Sequence, residues 1–204
     1  MRRLFLILTV FVCTMHGAAQ NMRSLFLNAP DEVFPLLTGN NRADCVDYIE
    51  AGMKAFAVNR LGGTSYLREL AADYLYLDTS GSSWVEAMLL PFGSDSIICM
   101  VKGVKAEAAD SRLLFYDREW NPLSVAQYLQ EPEVTEFFIS PDSAGLYAEK
   151  CDIYLVKYSL SPKDASLKAE YTMPSYMNVD EAAALQPLLR PVSYKWNGRR
   201  FVKE

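Results

Sequence analysis

Five apolar residues in a row, Ile97-Ile98-Cys99-Met100-Val101, constrain the fold of this chain more than any other segment. A strand alternates its side chains between two faces, so a run that is apolar at every position must be covered on both sides. The neighbouring segments also read as strands. Residues 73–80 alternate Tyr74 and Tyr76 against Leu75 and Leu77. A Ser-Gly-Ser-Ser turn then leads into 84–92, Gly93-Ser94-Asp95 leads into 96–104, and 112–117 follows. Short turns between successive strands predict an antiparallel meander with the 97–101 strand at its centre.

Helical periodicity is clearest over 41–53, NRADCVDYIEAGM. At 100° per residue Cys45, Val46, Tyr48, Ile49, Gly52 and Met53 share one arc, and Asp44, Asp47 and Glu50 share the opposite one. Asn41 is the expected N-cap, which puts Asp44 in the first turn. Upstream, Pro30-Asp31-Glu32 reads as a helix start that Pro35 limits to a turn or two. Gly62-Gly63-Thr64 reads as a tight turn.

Beyond the meander, Trp120-Asn121-Pro122 breaks the pattern. Residues 123–129 predict a short helix, and 134–139 stay open between helix and strand. Residues 152–160 and 167–172 predict a hairpin across Ser161-Pro162-Lys163-Asp164. There Leu167, Ala169 and Tyr171 alternate with Lys168, Glu170 and Thr172, so one face is wet. Residues 180–185 predict another short helix.

A last hairpin turns at Asn197-Gly198, the favoured pair for a two-residue type I′ turn. That turn sets Trp196 opposite Arg199, Lys195 opposite Arg200, Tyr194 opposite Phe201 and Ser193 opposite Val202. It also brings Arg199 near the Trp196 ring as a cation–π pair. The expected fold class is α+β: a largely antiparallel β-sheet meander with a few short helices packed on one face.

The first residues, MRRLFLILTVFVCTMHGAAQ, have the form of a secretory signal peptide. Arg2 and Arg3 supply the positive end, Leu4 to Val12 the apolar core, and Gly17-Ala18-Ala19 the small-residue cleavage site. A core of about ten residues is half the roughly 20 that a bilayer span needs. The expectation is a leader over 1–19 and one exported domain over 20–204, periplasmic or extracellular, with 121–132 as the place for any subdivision. Lipid attachment at Cys13 is disfavoured, because Val12 stands where a small residue is wanted. The mature chain carries no integral membrane segment.

Several chemistries fall away on residue counts. The one histidine, His16, lies in the leader, which removes histidine-based triads and histidine-ligated metal from the mature chain. Cys45, Cys99 and Cys151 are too far apart for a CxxC motif and read as buried apolar side chains, with one disulfide among them left open. No metal site and no cofactor is expected. The chain has 20 basic against 25 acidic side chains, and two of the basic ones belong to the leader. That balance argues against nucleic acid and against a polybasic membrane surface.

Carboxylates remain as the general acid–base candidates. Asp44, Asp47 and Glu50 cluster, but on the helix face opposite the core, where a solvated face is the ordinary reading. Trp84, Trp120 and Trp196 read as core, with sugar stacking as the alternative. Asn40-Asn41-Arg42 with Asp47, Asn59-Arg60-Leu61-Gly62-Gly63, Asp73-Tyr74-Leu75, Asp110-Ser111-Arg112 with Phe115-Tyr116, and Trp196-Asn197-Gly198 with Phe201-Val202 are together similar to a family of exported bacterial proteins of unknown function. The resemblance implies export and a single module, and it supplies no activity or catalytic residue.

These readings converge on a non-catalytic periplasmic or secreted binding or interaction module, with an envelope protein or a glycan as partner class. The alternative is a carboxylate-dependent hydrolase acting on polysaccharide or cell-wall glycan. A further reading is a partner that adds a strand to another protein. Lys195, Arg199 and Arg200 are the candidate residues for an anionic ligand, set against their ordinary role as protective edge charges.

Overall fold

A computed structural model describes residues 21–147 and 151–204. The expected leader over residues 1–19, with Cys13 and His16, lies outside the described residues. Two helices come first, α1 (Met22–Leu27) and α2 (Gly39–Glu50). Seven strands follow: β1 (Phe56–Val58), β2 (Thr64–Leu70), β3 (Tyr74–Ser80), β4 (Ser83–Phe92), β5 (Asp95–Val104), β6 (Asp110–Tyr116) and β7 (Pro122–Leu123). Short helices α3 (Val125–Tyr128) and α4 (Pro141–Tyr147) lead to β8 (Val156–Ser161) and β9 (Ser166–Tyr171). Helix α5 (Val179–Leu185) and the pair β10 (Val192–Trp196) and β11 (Phe201–Lys203) complete the described chain.

The first seven strands pair in sequence order as one antiparallel sheet, and the last four form a second sheet ordered β11-β10-β9-β8. Strand β5 lies inside the large sheet, between β4 and β6. Its alternate residues enter two different cores, which is what a run apolar at every position requires. Ile98 and Met100 pack with Met22, Leu25 and Phe26 of α1 and with Cys45 and Val46 of α2. Ile97, Cys99 and Val101 pack with Tyr158, Leu160, Leu167, Tyr194 and Phe201 of the small sheet, joined by Tyr128, Ala144 and Leu185 from α3, α4 and α5. The molecule is α+β, layered as helices, large sheet, small sheet.

Several boundaries differ from the sequence reading. Helix α2 is capped by Thr38, not Asn41: the Thr38 hydroxyl accepts from the Asn41 amide, and the Asn41 side chain accepts from the Thr38 amide. This moves Asp44 out of the first turn. Gly52, at φ +69°, lies past the helix end, and Met53 is exposed. Pro30-Asp31-Glu32 starts no helix; residues 31–37 are a chain of turns, and α1 precedes them. Strands β1 and β2 were not foreseen, and Val134–Phe137 is a 3-10 turn.

The last hairpin departs most. Trp196 pairs with Phe201, Lys195 with Val202 and Tyr194 with Lys203. The connection is four residues, because the Asn197 side-chain oxygen accepts from the amides of both Arg199 and Arg200, each at 2.9 Å. That ring of bonds selects the longer loop over the two-residue turn. Arg199 consequently sits in the loop, away from any register position facing Trp196. The cation over a ring in this hairpin is Lys203, on Tyr194.

The side-chain faces survive the shift. Val192, Tyr194, Trp196 and Phe201 are buried, and Lys195 and Val202 are exposed. Phe201 is 1% exposed and meets Trp196 edge to face at 5.2 Å between ring centres. Replacing Phe201 with alanine should therefore cost about 3 to 5 kcal/mol in chemical denaturation. A loss under about 0.5 kcal/mol would show that this face is not core.

Candidate functional site

Segment 29–37 has little regular structure, so its carbonyls need donors from elsewhere. Arg42 supplies them from the first turns of α2. Its guanidinium donates to Ala29 O at 2.6 Å and Leu37 O at 3.0 Å, and its Nη1 approaches the Asp31 carboxylate at 3.3 Å. The side chain is almost fully buried, and its Nε has no partner among the described residues. Arg60 pairs with Asp31 from the other side. Lys102 Nζ donates to Val33 O at 2.7 Å, tying the segment to β5. The result is a firm loop wall standing over the helical face of the large sheet.

Between that wall and the sheet lies a cleft of about 460 Å³. Val33, Phe34, Leu36 and Leu37 line the wall, and Leu77, Val85, Lys102 and Arg112 lie on the strands beneath. The strand residues form one cross-strand row. Leu77 is opposite Val85, Val85 opposite Lys102, and Lys102 opposite Arg112. At about 4.8 Å between strands the row spans about 14 Å. It is apolar at one end and doubly basic at the other. Burial lowers the affinity of Lys102 for its proton, and the neighbouring Arg112 charge lowers it further. Glu32 and Asp110 stand at the margin, where Asp110 Oδ1 accepts from the Val156 amide.

The most deeply buried carboxylate among the described residues, Glu86, serves a different purpose. It is 4% exposed and faces the small sheet, where its Oε2 accepts from the Leu160 amide at 2.8 Å and the Tyr74 hydroxyl at 3.3 Å. Its Oε1 accepts from the Trp84 indole at 3.2 Å. Burial raises its pKa, opposed by those three donors. With its oxygens occupied, Glu86 is a tie between sheets rather than a general acid. Trp84 reaches it by lying flat over Gly103, where an added Cβ would fall 2.3 Å from the ring.

The other residues singled out from the sequence are dispersed. Lys195 is on the outer face of β10 and pairs with Asp164 at 3.3 Å. Arg199 and Arg200 lie in the β10–β11 loop, beside Phe92 and Tyr128, on a separate open surface. Asp44 and Asp47 are exposed, and Glu50 pairs with Arg23 at 2.5 Å. All three tryptophans are at most 8% exposed, so they fill core rather than offer a stacking platform. Among the described residues Cys45, Cys99 and Cys151 are buried and unpaired; burial takes the Cys45 thiol up to about 11. No group of three metal-ligating side chains converges among the described residues, and no described helix is long and apolar enough to cross a membrane. Sequence reasoning missed Arg42 as a wall-builder and the Lys102–Arg112 pair, which only the strand register brings together.

Fold and site together define a two-sheet α+β module with a ligand-sized apolar cleft on its helical face. The chain belongs to the family described as protein of unknown function (DUF3256), which it matches over residues 14–201. Among solved structures it is similar to a domain of an uncharacterized protein from Porphyromonas gingivalis W83, at a TM-score of 0.78 and 28% identity, covering 92% of this chain and 100% of that one. No curated protein matches the chain.

The Glu86 tie makes stability depend on pH in a stated direction. The folded carboxyl holds its proton to higher pH than the unfolded one, so stability falls as pH rises above about 4.5. A Glu86→Gln variant lacks this term and turns an amide donor toward one of the buried donors. It should be less stable than the parent by about 1 to 3 kcal/mol at about pH 4, with the gap narrowing toward neutrality. Denaturation midpoints across that range check it; a gap that widens with pH would contradict the assignment.

Proposed function

We propose that the protein is an exported, non-catalytic binding module that holds a small, largely apolar molecule in the cleft between residues 29–37 and strands β3–β6. The observation that carries this reading is the cleft itself. Its volume of about 460 Å³ suits a small ligand, and its lining sets Leu, Val and Phe side chains beside polar ones that include Lys102 and Arg112. Its wall is braced by Arg42 and tied to β5 by Lys102, so the space is built in rather than left by loose packing. Of the partner classes raised by the sequence, a glycan fits less well, because Phe34 and Trp84 beside the cleft are buried rather than presented as stacking faces. Export rests on the Arg2-Arg3 end, the Leu4–Val12 core and the Gly17–Ala19 site in the sequence.

Val104 lies at the cleft and is half exposed, so a larger side chain there obstructs the space without disturbing the core. Nile red, a neutral apolar dye, should bind the parent saturably, and Val104→Trp should weaken that binding about tenfold or more with an unchanged melting temperature. Equal binding by both proteins would overturn the cleft reading. Intact mass of the exported protein should place its N-terminus at Gln20; retention of Met1 or a lipid on Cys13 would overturn the export reading.

A further inference from the structure

We infer that the occupant of the cleft is an amphipathic anion, an aliphatic carboxylic acid whose chain lies against Leu36 and Val104 and whose carboxylate meets Lys102 and Arg112. This rests on the cleft reading above and adds the chemical class of the ligand.

The argument begins from the strand register. Lys102 and Arg112 are directly opposed across β5 and β6. Like charges in that position repel and destabilise a sheet. Most other cations in this half of the molecule have a partner: Arg23 pairs with Glu50, Arg60 with Asp31, both Arg68 and Lys105 with Asp78, and Lys54 lies over the Tyr66 ring. Among the described residues Lys102 and Arg112 have no such carboxylate partner. The contact made by Lys102 is to the neutral Val33 carbonyl, and Lys102 is itself partly removed from water. Of the acids at the margin, Asp110 is engaged by the Val156 amide and Glu32 is exposed on the wall.

A bound carboxylate supplies the missing negative charge. Arg offers a planar two-pronged donor suited to a carboxylate, and Lys adds a point charge beside it. The open apolar lining sets the rest of the ligand. Leu36 on the wall is partly exposed and Val104, two residues along β5 from Lys102, is half exposed, while Leu37, Leu77 and Val85 lie buried beneath them. One molecule meets both this apolar rim and the basic pair only if it has an apolar chain and a single anionic head.

The test compares dodecanoate with dodecanol, the same chain without the charge, by calorimetric titration of the whole mature protein below the micellar range. The parent should bind dodecanoate at least about tenfold more tightly than dodecanol. Arg112 is exposed and outside the wall-building bonds, so Arg112→Gln should keep the fold; Lys102→Met is avoided because Lys102 also holds Val33. In Arg112→Gln the preference should collapse through loss of dodecanoate affinity. Equal binding of acid and alcohol by the parent, or a preference that persists in Arg112→Gln, overturns the inference while leaving the apolar cleft standing. Binding of Nile red but of neither dodecyl compound also overturns it. Failure of all three probes removes the cleft reading as well.

Discussion

The structure depends on how one edge of the small sheet is closed. Strand β8 ends that sheet, so alternate backbone groups along it have no strand to pair with. They are met instead by side chains of the large sheet. Asp110 accepts from the Val156 amide, the Ser111 hydroxyl accepts from Tyr158 at 2.7 Å, and Glu86 accepts from Leu160 at 2.8 Å. Ser111 also donates to the Val156 carbonyl at 3.0 Å. A buried, unpaired amide costs about 1 to 3 kcal/mol, so these contacts do more than orient the layers. They let an edge strand lie inside the molecule, and they align the residues of β8 with the core beneath β5.

That arrangement leaves the two faces of the large sheet with different jobs. The face toward the small sheet is packed with aromatic and aliphatic side chains and sealed by the three acceptors. The face toward the helices is covered fully only where α1 and α2 lie. Trp120 secures α1 there, its indole donating to Leu25 O at 3.3 Å and its ring meeting Phe34 edge to face. At the far end of the same face the covering is a loop held by Arg42 and Lys102, and the cleft exists because a propped loop fills space less completely than a helix. A buried arginine bonded to carbonyls is an expensive way to hold a loop if closure alone were needed.

The 97–101 run revealed the central strand because a doubly covered strand has no polar alternation to hide it. Turns at 81–83 and 93–95 made the neighbouring strands equally plain. Strand β2 was hidden because a bulge between Leu67 and Glu69 resets its alternation, leaving Arg68 and Glu69 adjacent on the surface. Helix α1 is only six residues long, too short to show a helical period. The final hairpin was misaligned because one side-chain oxygen, that of Asn197, decides the loop length, and turn statistics do not contain that contact. The candidate site was the least legible part. Lys102 and Arg112 are ten positions apart with nothing to join them until the register is known. Arg42, Asn59, Asp110 and Ser111, all within the stretches that carry the family resemblance, prove to be builders: Asn59, for example, binds the amides of Leu61 and Gly63 through its oxygen and the Thr79 carbonyl through its nitrogen.

The brevity of the remaining edges has a consequence for how such a strand-rich chain behaves when crowded. The large sheet ends in β1, three residues long, and β7, two residues long. The small sheet ends in β11, also three residues, with Lys203 at its tip. Strand-by-strand aggregation needs a long, flat template with unsatisfied backbone. Among the described residues β8 is the longest strand that ends a sheet, and it is already occupied by carboxylates and a hydroxyl from within, so the bonds that join the two layers also withhold that edge from fibril growth.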